Sequence, residues 1–363
     1  MSHTYVVSTI GTSLLTNRAG EPLRKLLTKT ANLREGEYEP SDRAAVWERA
    51  KSVGETLHSG ARQSARDLSA ELNGVLGLEA TGPDFSHYLL ATDTFQGGLT
   101  AELVRERLVG WGCRFANIQI LAGLTTRSQA EFSRGIDQLL LWCDQTLPDL
   151  RKQNARVVFN LAGSFKSLQA FAQTIAMVYA DETCYIFEGS KELLRIPRLP
   201  IAFNIDQMQS YAGLFARLAE GEMVSAHEAA DLAEAYIDRD AGAAMLSRWG
   251  KLAWNANKRE ILKAHLAEQP GMVYEDAFRR DFEKLGPDER VAIQESLAKA
   301  SIRWREGGLA ALRADGGLQY SNMKGHPSVG HFRVGLGPRI TCKPDGSALR
   351  LRRCGSHEIE KNP

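Results

Sequence analysis

The chain has 363 residues, of which 25% are charged and 43% hydrophobic, and its 45 Lys and Arg nearly balance 44 Asp and Glu for a net charge of +1. That length exceeds one ordinary core and suits two or three domains, and the composition excludes a disordered chain. No apolar run approaches the roughly 20 residues needed to cross a bilayer, and Met1 to Ile10 lacks a charged and then apolar leader, so a cytoplasmic protein with no membrane partner is expected. The five cysteines, Cys113, Cys143, Cys184, Cys342 and Cys354, are scattered and never form C-x-x-C. They read as small buried hydrophobes, not as a disulfide framework or a zinc site.

The first 200 residues alternate short apolar runs with longer periodic segments, the pattern of a mostly parallel sheet flanked by helices. Strands are expected at Tyr5 to Ile10, His87 to Ala91, Asn117 to Leu121, Arg156 to Leu161 and Cys184 to Phe187. Ser128 with Glu131 reads as a capping box, Thr100 as a helix N-cap, and Asp42 to Asn73 as one long helix with a break near Gly54 or Ser59. After the run Ile196 to Pro200 and a last apolar stretch at Ile201 to Phe203, the pattern turns Ala-rich and helical, which places a boundary near residue 205. Helices are expected at Asp206 to Gly221, from a second capping box at Ser225 and Glu228 through Tyr236, and at Trp249 to Leu266.

From Pro270 the order becomes helix, helix, then strands. Tyr274 to Leu285 and Asp288 to Trp304 read as helices; His331 to Gly335, Arg339 to Lys343 and Ala348 to Cys354 read as an antiparallel meander, with Pro344, Asp345 and Gly346 as a hairpin turn. Between Tyr320 and His357 stand Lys324, Arg333, Arg339, Lys343, Arg350, Arg352 and Arg353 against one acid, Asp345. Any polyanion affinity is expected here.

Open α/β sheets bind ligands outside the carboxyl ends of their strands. Gly11, Thr12 and Ser13 follow the first expected strand, and Gly163, Ser164, Phe165 and Lys166 follow the fourth and open a helix. Glycine permits close approach, hydroxyls and amides donate, and a helix N-terminus favours anions, which together describe a nucleotide or phosphate cradle. Asp93, Thr94, Phe95 and Gln96 form a third polar loop at the same edge. Neither G-x-G-x-x-G nor G-x-x-x-x-G-K-[ST] occurs, which argues against a dinucleotide cofactor and against an NTPase.

The segments VVSTIGTSLLT at Val6 to Thr16 and VFNLAGSFKSLQAF at Val158 to Phe171 resemble the paired signatures of CRISPR-associated Rossmann-fold (CARF) sensors, a likeness spanning roughly residues 1 to 203. The resemblance implies a homodimer that binds a cyclic oligoadenylate across its two-fold axis, with cyclic tetra-adenylate the expected ring. It implies ligand contacts from Gly11, Thr12, Ser13, Gly163, Ser164, Phe165 and Lys166, with Asp93 and Thr94 as secondary candidates.

RNA cleavage without a metal needs a base for the ribose 2′-hydroxyl, an acid for the leaving oxygen and cations for the charge on the phosphorane-like transition state. The basic segment has these ingredients and no Asp, Glu and His cluster at metal spacing. The pattern MKGHPSVGHFRVGLGPRIT at Met323 to Thr341 with LRLRRCGSHE at Leu349 to Glu358, and FRRDFEKL at Phe278 to Leu285, resemble the RelE/HigB family of mRNA interferases. The likeness covers about residues 270 to 363. It implies cleavage of mRNA in the ribosomal A site, with Lys324 and Arg333 at the scissile phosphate, Arg339 on the transition state and His357 as general acid or base. Arg350, Arg352 and Arg353 are assigned to ribosomal RNA contacts, and His326 and His331 to structural or RNA-contacting roles. Where some relatives carry a second strand cation this chain has Gly335, and the tyrosine often found near the C-terminus is absent.

The expected architecture is thus an α/β Rossmann-like (CARF) sensor domain at 1–204, a small helical, helix-turn-helix-like or winged-helix-like middle module at 205–267, and an α+β RelE-like domain at 268–363. Its partners would be a second copy of the chain, a cyclic oligoadenylate as allosteric activator, the ribosome and mRNA, with no other cofactor and no metal. Two rivals are weighed. One is an all-helical HEPN nuclease with an R-x4-6-H motif, for which Arg259 with His265, or Arg352 with His357, have the spacing. The other is a ligand-controlled transcription regulator, which the acids Glu220, Glu222, Glu228, Asp231 and Glu234 disfavour.

Overall fold

The computed structural model describes residues 3–163, 165–187, 192–323, 325–335 and 337–361, apart from the side chains at 327, 360 and 361. The chain divides into two compact units, Met1–Ile201 and Ala202–Pro363.

The first unit runs β1 (Thr4–Thr9), α1 (Ser13–Thr16), α2 (Glu21–Thr30), α3 (Pro40–Ser59), α4 (Arg62–Leu68), α5 (Ala70–Gly77), β2 (Phe85–Thr92), α6 (Phe95–Gly110), β3 (Phe115–Leu121), α7 (Gln129–Lys152), β4 (Arg156–Asn160), α8 (Lys166–Tyr179), β5 (Glu182–Ile186) and β6 (Leu193–Pro197). The sheet order is β3-β2-β1-β4-β5-β6. The first five strands are parallel and β6 returns antiparallel along β5. Val6, Val7, Leu89, Leu90, Val157, Val158 and Phe159 are all buried, as strands covered on both faces require. The chain leaves β1 toward β2 on one side and β4 lies on the other, so the loops after β1 and β4 part at the switch point of the sheet.

Two expectations for this unit are corrected. The segment Asp42 to Asn73 breaks after Ser59, at one of the two places expected, where Gly60 takes extended backbone, but it breaks again at Ser69, whose hydroxyl accepts the Leu72 N–H (3.2 Å) to start α5 afresh, so it is three helices. The N-cap of α6 is Thr94, whose hydroxyl accepts the Gly97 N–H (3.1 Å); Thr100 lies buried inside that helix and donates to the Gln96 carbonyl. Ile196 and Pro197, which open the run before the expected boundary, belong to strand β6. Ser128 caps α7 as expected, accepting the Glu131 N–H at 3.2 Å.

The second unit runs α9 (Asp206–Ser210), α10 (Ala212–Ala219), β7 (Val224–Ser225), β8 (Ile237–Asp240), β9 (Ala243–Leu246), α11 (Arg248–Ala264), β10 (Met272–Tyr274), α12 (Asp276–Lys284), α13 (Pro287–Ala314), β11 (Ser321–Met323), β12 (His326–Arg333), β13 (Arg339–Asp345) and β14 (Ala348–Gly355), followed by a 3-10 turn at His357–Lys361. Two of the helices expected here are not formed as such. Asp206 to Gly221 is two short helices, and no helix starts at Ser225, although its hydroxyl does accept the Glu228 N–H. The Glu228 carboxylate is drawn instead to the buried guanidinium of Arg217, and residues 226 to 236 wind as turns into a three-stranded sheet, β7-β9-β8. The middle segment is therefore not all helix. Its core stacks Phe215 on Trp254 (5.8 Å) and takes in Ala298 of α13, so the middle segment and the C-terminal helices and sheet belong to one unit.

The five-stranded sheet has the order β10-β14-β13-β12-β11, antiparallel except that β10 runs parallel to β14. Tyr274, read as the start of a helix, ends β10 and pairs with Leu351. The hairpin turn is Gly346 and Ser347, with Gly346 at φ +59°, while Pro344 and Asp345 still belong to β13. One face of this sheet carries Phe332, Ile340, Cys342, Leu349, Leu351 and Cys354 against Phe278, Phe282, Ile293 and Leu297 of α12 and α13. By alternation the opposite face carries His331, Arg333, Arg339, Thr341 and Arg353. All five cysteines are free and buried. Burial pushes the Cys342 thiol up to about 12, so it is protonated and inert at neutral pH.

Candidate functional site

Two places collect the residues singled out by the sequence, one in each unit. In the first unit the loops after β1, β2 and β4 lie side by side because their strands are neighbours. The β1 and β4 loops are tied together: the Thr9 hydroxyl donates to the Gly163 carbonyl (2.7 Å). At their centre is Glu71, at the start of α5, a fully buried residue that sequence reasoning missed. Its Oε1 accepts the Gly11 N–H (2.7 Å), and its Oε2 accepts the hydroxyls of Ser69 (2.6 Å) and Ser13 (3.1 Å). A Cβ on Gly163 would overlap this carboxylate, so only glycine fits there. Asn160, at the end of β4, is buried beside it; its amide donates to Ser8 Oγ (3.1 Å) and to the Glu71 carbonyl (3.0 Å).

Of the residues expected to hold a ligand, Gly11 and Ser13 thus spend a donor each on Glu71. The Thr12 carbonyl accepts the N–H groups of Leu15 and Thr16 to open α1. Gly163 is buried, Phe165 is the N-cap residue of α8 and meets the Phe132 ring at 5.9 Å, and Lys166 is exposed in the first turn of α8. Ser164 lies outside the described residues. Asp93 accepts Arg34 through Nε and Nη2 (3.2 and 2.8 Å), which firms the charge on that guanidinium. Thr94 is nearly buried as the α6 cap. Gln96 is fully buried, its amide bonded to Leu27, Thr30 and Tyr38. A cleft of about 390 Å³ opens beside Asp93 and Thr94, walled by Trp47, Leu99 and Ile120.

Residues 66–199 match a family model described as CRISPR-associated protein (Cas_APE2256). The match supports a CRISPR-associated protein, and with it a role in CRISPR-related defence. Its span includes Glu71, Asp93, Thr94, Asn160, Gly163 and Lys166, and therefore two of the three converging loops. It ends before the second unit begins. No curated protein shows significant similarity to the chain.

In the second unit the outer sheet face assembles most of the residues assigned to chemistry. Arg333 on β12 and Arg339 on β13 are direct cross-strand partners. His331 pairs with Thr341 on the next rung, and Thr341 pairs with Arg353 on β14. Gly355, partner of Arg339, leads through Ser356 to exposed His357. Lys324 lies outside the described residues. The three arginines assigned to RNA contacts each face an acid: Arg350 donates to Asp345 (3.0 Å from Nε), Arg353 to Asp281 (2.5 Å from Nε), and Arg352 Nε stands 3.8 Å from Glu275. His331 Nε2 is 3.2 Å from Ser321 Oγ, and His326 is exposed on β12 opposite Met323. For the helical rival, Arg259 is ion-paired with Asp288, while Arg352 lies in a strand and His357 in the 3-10 turn. Among the described residues no group of three or more His, Cys, Asp or Glu is placed to hold a metal ion, and no helix is long and apolar enough to cross a membrane.

Proposed function

We propose that this chain is a cyclic-oligoadenylate-activated, metal-independent endoribonuclease that cuts mRNA in the ribosomal A site during CRISPR-related defence. The observation that carries the reading is the Arg333 and Arg339 rung on the outer face of the second sheet, with His357 two residues past the strand that borders it. Two guanidiniums side by side are poised for a phosphate and for the extra charge that develops on it, and an imidazole at the rim can move a proton. Arg333 holds the scissile phosphate, Arg339 stabilises the transition state and His357 acts as acid or base; Lys324 joins Arg333. The order of two helices, α12 and α13, before the meander agrees with the RelE/HigB likeness.

In the first unit, the loops at the switch point are the place for the adenylate ring, with Lys166 and the first turn of α8 supplying positive potential. Two copies of the unit share one ring of four adenylates, and the chain is a homodimer through it. So shallow a sheet face relies on the ribosome to present its substrate.

The test is incubation of the purified chain with translating ribosomes, with and without cyclic tetra-adenylate, and then mapping of mRNA ends. Codon-phased cuts that need the ring are expected. Equal cutting of free RNA with and without it would overturn the reading.

A further inference from the structure

Thr341 is the least exposed residue of the outer sheet face and an anomaly there. It is fully buried, and its hydroxyl has no hydrogen-bond partner. A strand threonine ordinarily finds water or a carbonyl, since a buried hydroxyl without a partner forfeits the bonds it had in solvent. The alternation of β13 puts Ile340 and Cys342 into the helix-packed core and Thr341 on the side of Arg339. Its cross-strand neighbours are His331 and Arg353, and the adjacent rung is Arg333 with Arg339. The hydroxyl therefore sits amid the candidate catalytic cations.

Over this face lies the 3-10 turn at His357–Lys361, which packs on β13 and β14. Ile359 marks where it sits: its Cγ2 is 3.4 Å from the position of a Cβ on Gly355, the residue paired with Arg339, and so on the same face as Thr341. The turn that carries His357 thus lies against the Gly355 end of this face, beside the Arg339 rung.

We infer that the Thr341 hydroxyl is a substrate contact, donating a hydrogen bond to a non-bridging oxygen of the RNA phosphate held by the Arg333 and Arg339 rung once the Ile359 side chain withdraws from this face, with His357 staying at its rim. This rests on the proposed nuclease reading and adds a catalytic residue to it. A neutral donor beside two guanidiniums completes a three-point hold on a tetrahedral group, and the bond that Thr341 lacks at rest is supplied by the substrate.

The experiment compares the full-length chain with Thr341→Val, Thr341→Ala and Thr341→Ser on translating ribosomes with cyclic tetra-adenylate, alongside thermal unfolding of each. Val keeps the shape and removes an unsatisfied hydroxyl, so its melting temperature should equal or exceed that of the parent. Its cleavage rate should fall roughly 10- to 100-fold, with Ala similar and Ser within about threefold of the parent. Parental cleavage by whichever of the Val and Ala variants remains folded overturns the inference and leaves the nuclease reading standing. A Ser variant as slow as Val also overturns it, since the hydroxyl would then not be what matters. A parent chain that cuts no RNA under these conditions sinks the nuclease reading and this inference with it.

Discussion

The carboxylate of Glu71 occupies the space that any side chain at residue 163 would need. The contact joins the start of α5 to the β4 loop, and the same carboxylate holds the Gly11 amide of the β1 loop. Gly163→Ala should therefore destabilise the first unit by about 1 to 3 kcal/mol through overpacking. Glu71→Ala opens that space but strands three donors. A double-mutant cycle in urea should find Gly163→Ala much less costly when Glu71 is already Ala, with a coupling of at least about 1 kcal/mol. Strictly additive costs would mean that the loop relaxes around the new methyl.

His87 on β2 is fully buried, with Nε2–H donating to the Ala80 carbonyl at 3.1 Å. Burial lowers its pKa from 6.5 to about 4, against a smaller opposing pull from that carbonyl. The unfolded chain then binds the proton more readily than the folded one. Stability is complete above about pH 6.5 and is lost as pH falls from there toward 4, by on the order of 2 to 3 kcal/mol. Chemical unfolding of the full chain at stepped pH should show this slope, and His87→Phe should flatten it.

The first unit was largely legible because strands covered on both faces are unbroken apolar runs, such as Val157 to Phe159, and glycines mark their ends. Glu71 was not, since an acid in a helical window reads as a solvated face; the extended Ser69 that turns it inward is visible only once α4 and α5 separate. Strands β10 and β11 are three residues each and exist through distant partners, Met272 with Leu349 and Ser321 with His331. In the middle segment the capping-box letters at Ser225 and Glu228 misled because the glutamate's partner is Arg217, a contact that sequence spacing does not announce. The basic stripe was overcounted for a similar reason: Arg350 and Arg353 lean on Asp345 and Asp281.

Asp315, just past α13, gathers Arg303 Nε (3.0 Å), Lys299 Nζ (3.1 Å) and the N–H groups of Gly317 and Leu318 (2.9 and 3.1 Å). Burial alone would raise its pKa, but these donors outweigh it and hold the carboxyl down at about 2. Its contribution to stability is present above the ordinary carboxylate range and is lost as pH falls from about 4 toward 2. Asp315→Ala should cost about 1 to 3 kcal/mol at neutral pH and should make unfolding of the second unit less steep in pH below 4, measured by denaturant titration.

Arg333 and Arg339 stand directly opposite each other across β12 and β13, so that two like charges share one rung and repel each other. Such a rung is explained if an anion is meant to lie across it. Replacing Arg333 by glutamine should leave the melting temperature unchanged or raise it, while cleavage of ribosome-bound mRNA falls by at least about 100-fold for Arg339→Gln, which loses charge stabilisation in the transition state. Linkage supplies a readout independent of catalysis: an anion that bridges the pair stabilises the folded chain by mass action. Added sulfate should raise the melting temperature of the parent more than that of either variant. A sulfate response identical in all three, with undiminished cleavage by Arg339→Gln, would make the rung a solvated accident of the sheet.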